Sequence, residues 1–95
     1  MPVVVATPFE NPDTVVTRAN DHIYGLAAAV WTKDSTKAQT VTSELRAGTV
    51  WINCCNIRDT ALPFGGYRQS GWGREMGHDV LEPYTETKAV CSCLV

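Results

Sequence analysis

The chain has 95 residues and a formal net charge of −2. That length suits one small domain, which buries a smaller share of its surface than a longer chain does. The mild acidity leaves no basic footprint for nucleic acid, and no apolar run reaches the ~18–20 residues of a membrane-crossing helix. The start, Met1-Pro2-Val3-Val4-Val5, lacks the positive charge that opens a signal peptide, so a cytoplasmic location is expected.

Val3 to Ala6 is a short β-branched run ended by Thr7-Pro8 and predicts a buried strand. Asn11-Pro12-Asp13 then has the order of a helix start: a capping side-chain oxygen, a proline at the first helical position, and an acid in the first turn. Val15, Val16, Ala19 and Ile23 follow at helical spacing as its expected buried face, and Gly25 ends the element. Ala27 to Trp31 is a continuous apolar run, short enough for a strand covered on both faces. Asp34-Ser35 offers a second helix cap, Ala38, Val41 and Leu45 form a stripe of period 3.6, and Ala47-Gly48 supplies the stop. Thr49 to Ile52 is a third apolar strand. Strand, helix, strand, helix, strand predicts an α/β fold with a parallel sheet and right-handed crossovers.

Residues 53–73 form a long irregular segment, and loops above ~12–15 residues are usually functional. Arg74 to Leu81 reads as a short helix stopped by Pro83, and Thr85 to Val95 as a last extended strand. The domain boundaries expected are therefore 1–83 for the α/β part and 84–95 for the strand and tail. Three such strands normally lie inside a larger sheet, so this stretch by itself exposes a sheet edge and apolar faces.

Four cysteines occur as Cys54-Cys55 and Cys91-x-Cys93. Zinc ligand pairs are usually separated by two to four residues in a turn, so reduced thiols are expected and no metal site is assigned. Gly71-x-Gly73 beside Arg74 invites comparison with a phosphate cradle. A dinucleotide fingerprint follows a strand directly and has a third glycine, so a structural turn is the expectation. His22 and His78, at or near helix ends without a second ligand or acid at a telling spacing, are read as structural. Cys55 has no neighbouring base in sequence to activate it as a nucleophile.

The run Pro63-Phe-Gly-Gly-Tyr-Arg-Gln-Ser-Gly-Trp-Gly-Arg-Glu75 is the densest signature. Gly48-Thr-Val-Trp-Ile-Asn53 lies upstream of it and Tyr84-Thr-Glu-Thr-Lys88 downstream. Together with Ala19-Asn20, Tyr24-Gly-Leu-Ala-Ala-Ala-Val-Trp31 and Arg46-Ala-Gly48, these motifs resemble, in order and distance, the C-terminal end of an aldehyde dehydrogenase. The resemblance covers nearly the whole chain. It implies a complete enzyme that oxidises an aldehyde to a carboxylate, through a covalent thioester, and passes hydride to NAD or NADP. In that family the cofactor domain, the glutamate base and the cysteine nucleophile, in a Gly-Gln-x-Cys type of motif, lie upstream. No such tetrapeptide occurs here. Of the Glu-x-Phe-Gly-Pro motif that holds the nicotinamide ribose, Pro2 matches the proline and Met1 stands at the glycine. The chain alone is therefore expected to be inactive and to bind neither dinucleotide tightly, whether it is a truncated gene, an excised piece or half of a split enzyme.

By the same resemblance, the segment from Asn53 to Phe64 lines the tunnel through which the aldehyde reaches the cysteine. Ile57 and Arg58 match substrate-contacting positions, and Phe64 matches an aromatic wall of the pocket. Arg58 departs from the hydrophobic or aromatic residue common there. It is expected to turn to solvent, with a preference for a polar or anionic substrate tail as the alternative. Asp59-x-Ala61-x-Pro63-Phe64 is similar to the branch that handles aromatic aldehydes such as phenylacetaldehyde. Glu75 matches a glutamate behind the catalytic centre that relays protons; as a plain first-turn acid facing a helix dipole it has an equal claim. The tail resembles the strand that joins a neighbouring subunit's sheet, with Arg74 and Glu86 expected to meet as a partly buried pair near that interface. The expected partners are then an aldehyde in the complete enzyme, and a second subunit or the remaining N-terminal part of the protein, with no nucleic acid and no membrane. Two further readings stay open: an interaction fragment that binds an aldehyde dehydrogenase subunit without catalysis, and a small zinc- or thiol-dependent protein.

Overall fold

In the computed structural model, which describes residues 2–94, the order of elements is helix α1 (Pro12–Asn20), strand β1 (Ala27–Val30), helix α2 (Ser35–Glu44) and strand β2 (Thr49–Ile52). Met1 and Val95, which bound the expected first segment and tail, lie outside the described residues. α1 begins as its sequence dictates: the Thr14 N–H donates to Asn11 Oδ1 at 2.9 Å, and Pro12 opens the first turn, where no N–H is needed. α2 is capped in the same way by Asp34, whose Oδ1 accepts from the Lys37 N–H at 3.0 Å.

β1 and β2 pair in parallel, with Ala27 opposite Thr49 and Val30 opposite Ile52, and α2 packs against both strands. The α/β character and the parallel pairing are those expected. The core is small: Val16, Ala38 and Val41 are the buried hydrophobic side chains among the described residues. Asn20 ties the two helices together at their C-terminal ends. Its Nδ2 donates to the Glu44 carbonyl at 2.9 Å, and its Oδ1 accepts from the Arg46 N–H at 2.8 Å.

Several expectations are corrected. Val3 to Ala6 forms no strand; it runs exposed, with Val4 at 92% exposure, because no strand among the described residues lies alongside to take its backbone hydrogen bonds. The sheet therefore has two strands where three were expected. Ala19 and Ile23 are exposed: α1 ends at Asn20, short of Ile23, and of the α1 residues it is Val16 that is buried as the helix packs on α2. Arg74 to Leu81 is no helix. Met76 (φ 59°) and Gly77 (φ 62°) turn the backbone into the left-handed region, through which a right-handed helix does not run. A 3-10 turn, His78–Tyr84, with Pro83 inside it, follows instead. Thr85 to Leu94 is extended and exposed without a pairing partner.

The long loop is held by specific contacts. An isolated antiparallel bridge joins Phe64 and Glu75 through reciprocal backbone hydrogen bonds of 2.7 Å. A 3-10 turn, Arg68–Ser70, docks on the end of α1: Arg68 Nη1 donates to the carbonyls of Asn20 (2.7 Å) and His22 (2.6 Å). Gly48 is where the loop passes the start of β2 most closely. A Cβ there would fall 1.6 Å from the Gly65 carbonyl oxygen, so no other residue fits without moving one of the two segments.

Candidate substrate-facing site

The site is assembled where β2 runs out into the loop. Asn53, at φ 55°, is the first residue past the strand. Its side chain copies a strand neighbour: Oδ1 accepts from the Thr32 N–H at 2.8 Å and Nδ2 donates to the Thr32 carbonyl at 2.9 Å. Its own N–H donates to the Val30 carbonyl at 2.8 Å. These bonds extend the β1–β2 pairing past the strand ends and set the direction in which the loop leaves.

From there Trp51 holds the loop back against the sheet, its indole Nε1–H donating to the Ile57 carbonyl at 2.7 Å. Asp59 closes a turn by accepting from the Ala61 N–H at 2.8 Å, and the Gly77 N–H donates to the Thr60 carbonyl at 2.8 Å. The result is a hollow of about 220 Å³ whose walls include Trp51, Cys54, Ile57, Arg58, Phe64 and Met76. Cys54, Phe64 and Met76 are half-buried, and Ile57 and Arg58 are exposed at the rim. An apolar, concave surface with few polar groups is the form small-molecule sites take.

The three residues singled out in sequence, Ile57, Arg58 and Phe64, therefore line one hollow. Arg58 does more than turn to solvent: its Cζ lies 4.4 Å from the centre of the Phe64 ring, a cation–π distance. Glu75 is not a first-turn acid, because no helix starts there; it meets Phe64 through the backbone, and its side chain is exposed. Arg74 and Glu86 form no ion pair among the described residues. Arg74 Nη1 instead lies against the carbonyls of Gly66 (2.9 Å), Gly73 (2.9 Å) and Trp72 (3.3 Å), fastening the glycine loop from inside. His22, one residue past the α1 C-cap, accepts the Tyr24 N–H on Nδ1 at 3.0 Å. All four cysteines are unpaired. Asn53, which sequence reading passed over as a loop boundary, organises the site; the signal lay in an asparagine at the end of an apolar strand, a residue type that tolerates positive φ.

The glycine loop does not fit a dinucleotide. Among the described residues no α-helix begins after Gly73, and the two arginines of the loop, Arg68 and Arg74, are each already held by backbone carbonyls. No step of nicotinamide chemistry is assigned to residues of this chain.

The sequence pattern of the aldehyde dehydrogenase family matches residues 1–90. The chain is 49% identical over 89 residues to a phenylacetaldehyde dehydrogenase of Pseudomonas fluorescens, covering 94% of this chain and 18% of that protein. It is 51% identical, with the same coverage, to aldehyde dehydrogenase [NAD(P)+] 1 of Saccharomyces cerevisiae. Among solved structures, an NAD+ complex of an aldehyde dehydrogenase from Bacillus cereus superposes with a TM-score of 0.88 at 53% identity, covering 94% of this chain and 18% of the other. The chain thus spans about 18% of the length of these relatives. A family pattern running through residues 1–90, and a solved relative that superposes on 94% of the chain, show that this protein belongs to the aldehyde dehydrogenase family.

Proposed function

We propose that this chain forms the C-terminal part of the catalytic domain of a cytoplasmic NAD(P)-dependent aldehyde dehydrogenase, with residues 1–83 supplying a wall of the aldehyde tunnel and 84–95 an assembly strand. The complete enzyme oxidises an aldehyde to a carboxylate and passes hydride to NAD or NADP. Nucleophile, base and cofactor domain come from parts of that enzyme other than residues 1–95, and the isolated chain is inactive. The observation that carries this reading is the hollow bounded by Ile57, Arg58 and Phe64, an aromatic-walled recess at the C-terminal end of a parallel strand. That end is where open α/β sheets bind their ligands. Likeness to a phenylacetaldehyde dehydrogenase supports an aromatic aldehyde as substrate.

The tail supports the assembly role: Tyr84 to Leu94 is exposed, and Thr85 to Leu94 carries no regular structure and no strand pairing, so its backbone is available to add a strand to another sheet edge. Glu86 lies on it, clear of Arg74 in this chain. A reading as a non-catalytic fragment that docks on an aldehyde dehydrogenase subunit draws on the same exposed tail.

The test is Phe64→Ala in the complete enzyme. Enlarging the apolar wall is expected to lower kcat/KM for an aromatic aldehyde about ten- to two-hundredfold, as loss of one pocket contact does, with the KM for the nicotinamide cofactor unchanged. Equal kcat/KM in the variant and the parent removes Phe64 from the aldehyde path.

A further inference from the structure

The hollow carries a charge that has no partner among the described residues. Arg58 sits at its rim with the guanidinium carbon 4.4 Å from the centre of the Phe64 ring, and among the described residues no acceptor lies within hydrogen-bonding distance of its nitrogens and no carboxylate pairs with it. The carboxylate nearest in sequence, Asp59, also borders the hollow, but its Oδ1 is engaged by the Ala61 N–H at 2.8 Å, which bends the turn. Cation–π attraction to the ring does not consume the N–H donors of the guanidinium, which form the planar fork that takes a carboxylate through two parallel hydrogen bonds. The contact with the ring also restricts a long surface side chain, so less freedom is lost on binding.

We propose that Arg58, held over the Phe64 ring, selects aldehydes that carry a carboxylate at the end of an apolar or aromatic body. The body lies against Phe64 and its apolar neighbours in the hollow, and the carboxylate meets the Arg58 edge at the rim. This rests on the reading of the loop as the aldehyde wall, and it departs from a substrate with a purely apolar tail. The pairing is at the rim and partly solvated, so it weakens as salt rises.

The test compares benzaldehyde with 4-carboxybenzaldehyde in the complete enzyme, in the parent and in the Arg58→Leu and Arg58→Lys variants. The parent is expected to prefer the carboxylated aldehyde. Arg58→Leu should lower its kcat/KM about ten- to hundredfold more than that of benzaldehyde, the range of a hydrogen-bonded charge. Arg58→Lys, which keeps the charge and loses the fork, should fall between them, and high salt should shrink the preference in the parent and in Arg58→Lys but not in Arg58→Leu. If the parent oxidises benzaldehyde and shows no preference, or if Arg58→Leu slows both aldehydes alike, the anion-selecting role of Arg58 is overturned and the wall assignment stands. If the parent oxidises neither aldehyde, both the wall assignment and the role of Arg58 fall.

Discussion

Single residues decide where the backbone of this chain can go. The clearest is Gly48, whose missing Cβ leaves room for the Gly65 carbonyl. Gly48→Ala cannot be absorbed by rotating a side chain, because the obstructing atom belongs to the backbone. In the complete enzyme this substitution is expected to cost about 1–3 kcal/mol or more as overpacking, read as a lower urea midpoint. An unchanged midpoint would mean that the two segments separate at no cost. The helix caps at Asn11 and Asp34 were readable in sequence because capping is local: the acceptor and the N–H it serves lie three residues apart. Ile23 was misread for a matching reason. Its helical spacing from Val16 and Ala19 is real, but the helix it presumes stops three residues earlier.

At the scale of elements, β1, α2 and β2 emerge within one residue of their sequence pattern, since each is defined by a short apolar run or stripe between clear stops. The failures lie where an element depends on something distant in sequence. Val3 to Ala6 has strand composition and no partner, and Arg74 to Leu81 has helical composition interrupted by two left-handed residues that lock against the Leu62–Phe64 segment. Asn53 joins the two scales, because one side chain continues the parallel pairing beyond the strands. Asn53→Ala loses both bonds to Thr32 and places a Cβ-bearing residue without a compensating amide at φ 55°. Asn53→Gly loses the same bonds but fits that φ. Alanine is therefore expected to be the more destabilising by about 1 kcal/mol, and both variants should raise the KM for aldehyde above that for the cofactor, because the loop leaves the sheet in a new direction. Denaturant melts of the two variants, set beside their KM pairs, check this. Equal stability of alanine and glycine would show that the left-handed backbone at 53 carries no strain.

Over the whole molecule the dimensions are 73 × 28 × 25 Å with a radius of gyration of 18.6 Å, against about 12 Å for a compact chain of this length. Both extended ends project apolar side chains: Val3, Val4 and Val5 at one end, Val90 and Leu94 at the other. With three buried hydrophobic side chains among the described residues, the core is small for a chain of this length. The superposition on a solved aldehyde dehydrogenase covers 94% of this chain and 18% of that one. Family membership was readable in sequence because separated motifs keep their order and spacing. The candidate hollow was readable only as a list of positions, since the clamp at Asn53 and the approach of Arg58 to the Phe64 ring are made by the fold.

The central claim is that these residues form one wall of an aldehyde oxidation site completed by the rest of an aldehyde dehydrogenase. Aldehyde-dependent formation of reduced nicotinamide tests it most directly, measured with the purified chain alone and with the same residues joined to the remainder of the catalytic and cofactor domains. The expected result is no rate above the protein-free blank for the chain alone and steady turnover once it is joined. Turnover by the chain alone, or none in the joined protein, would contradict it.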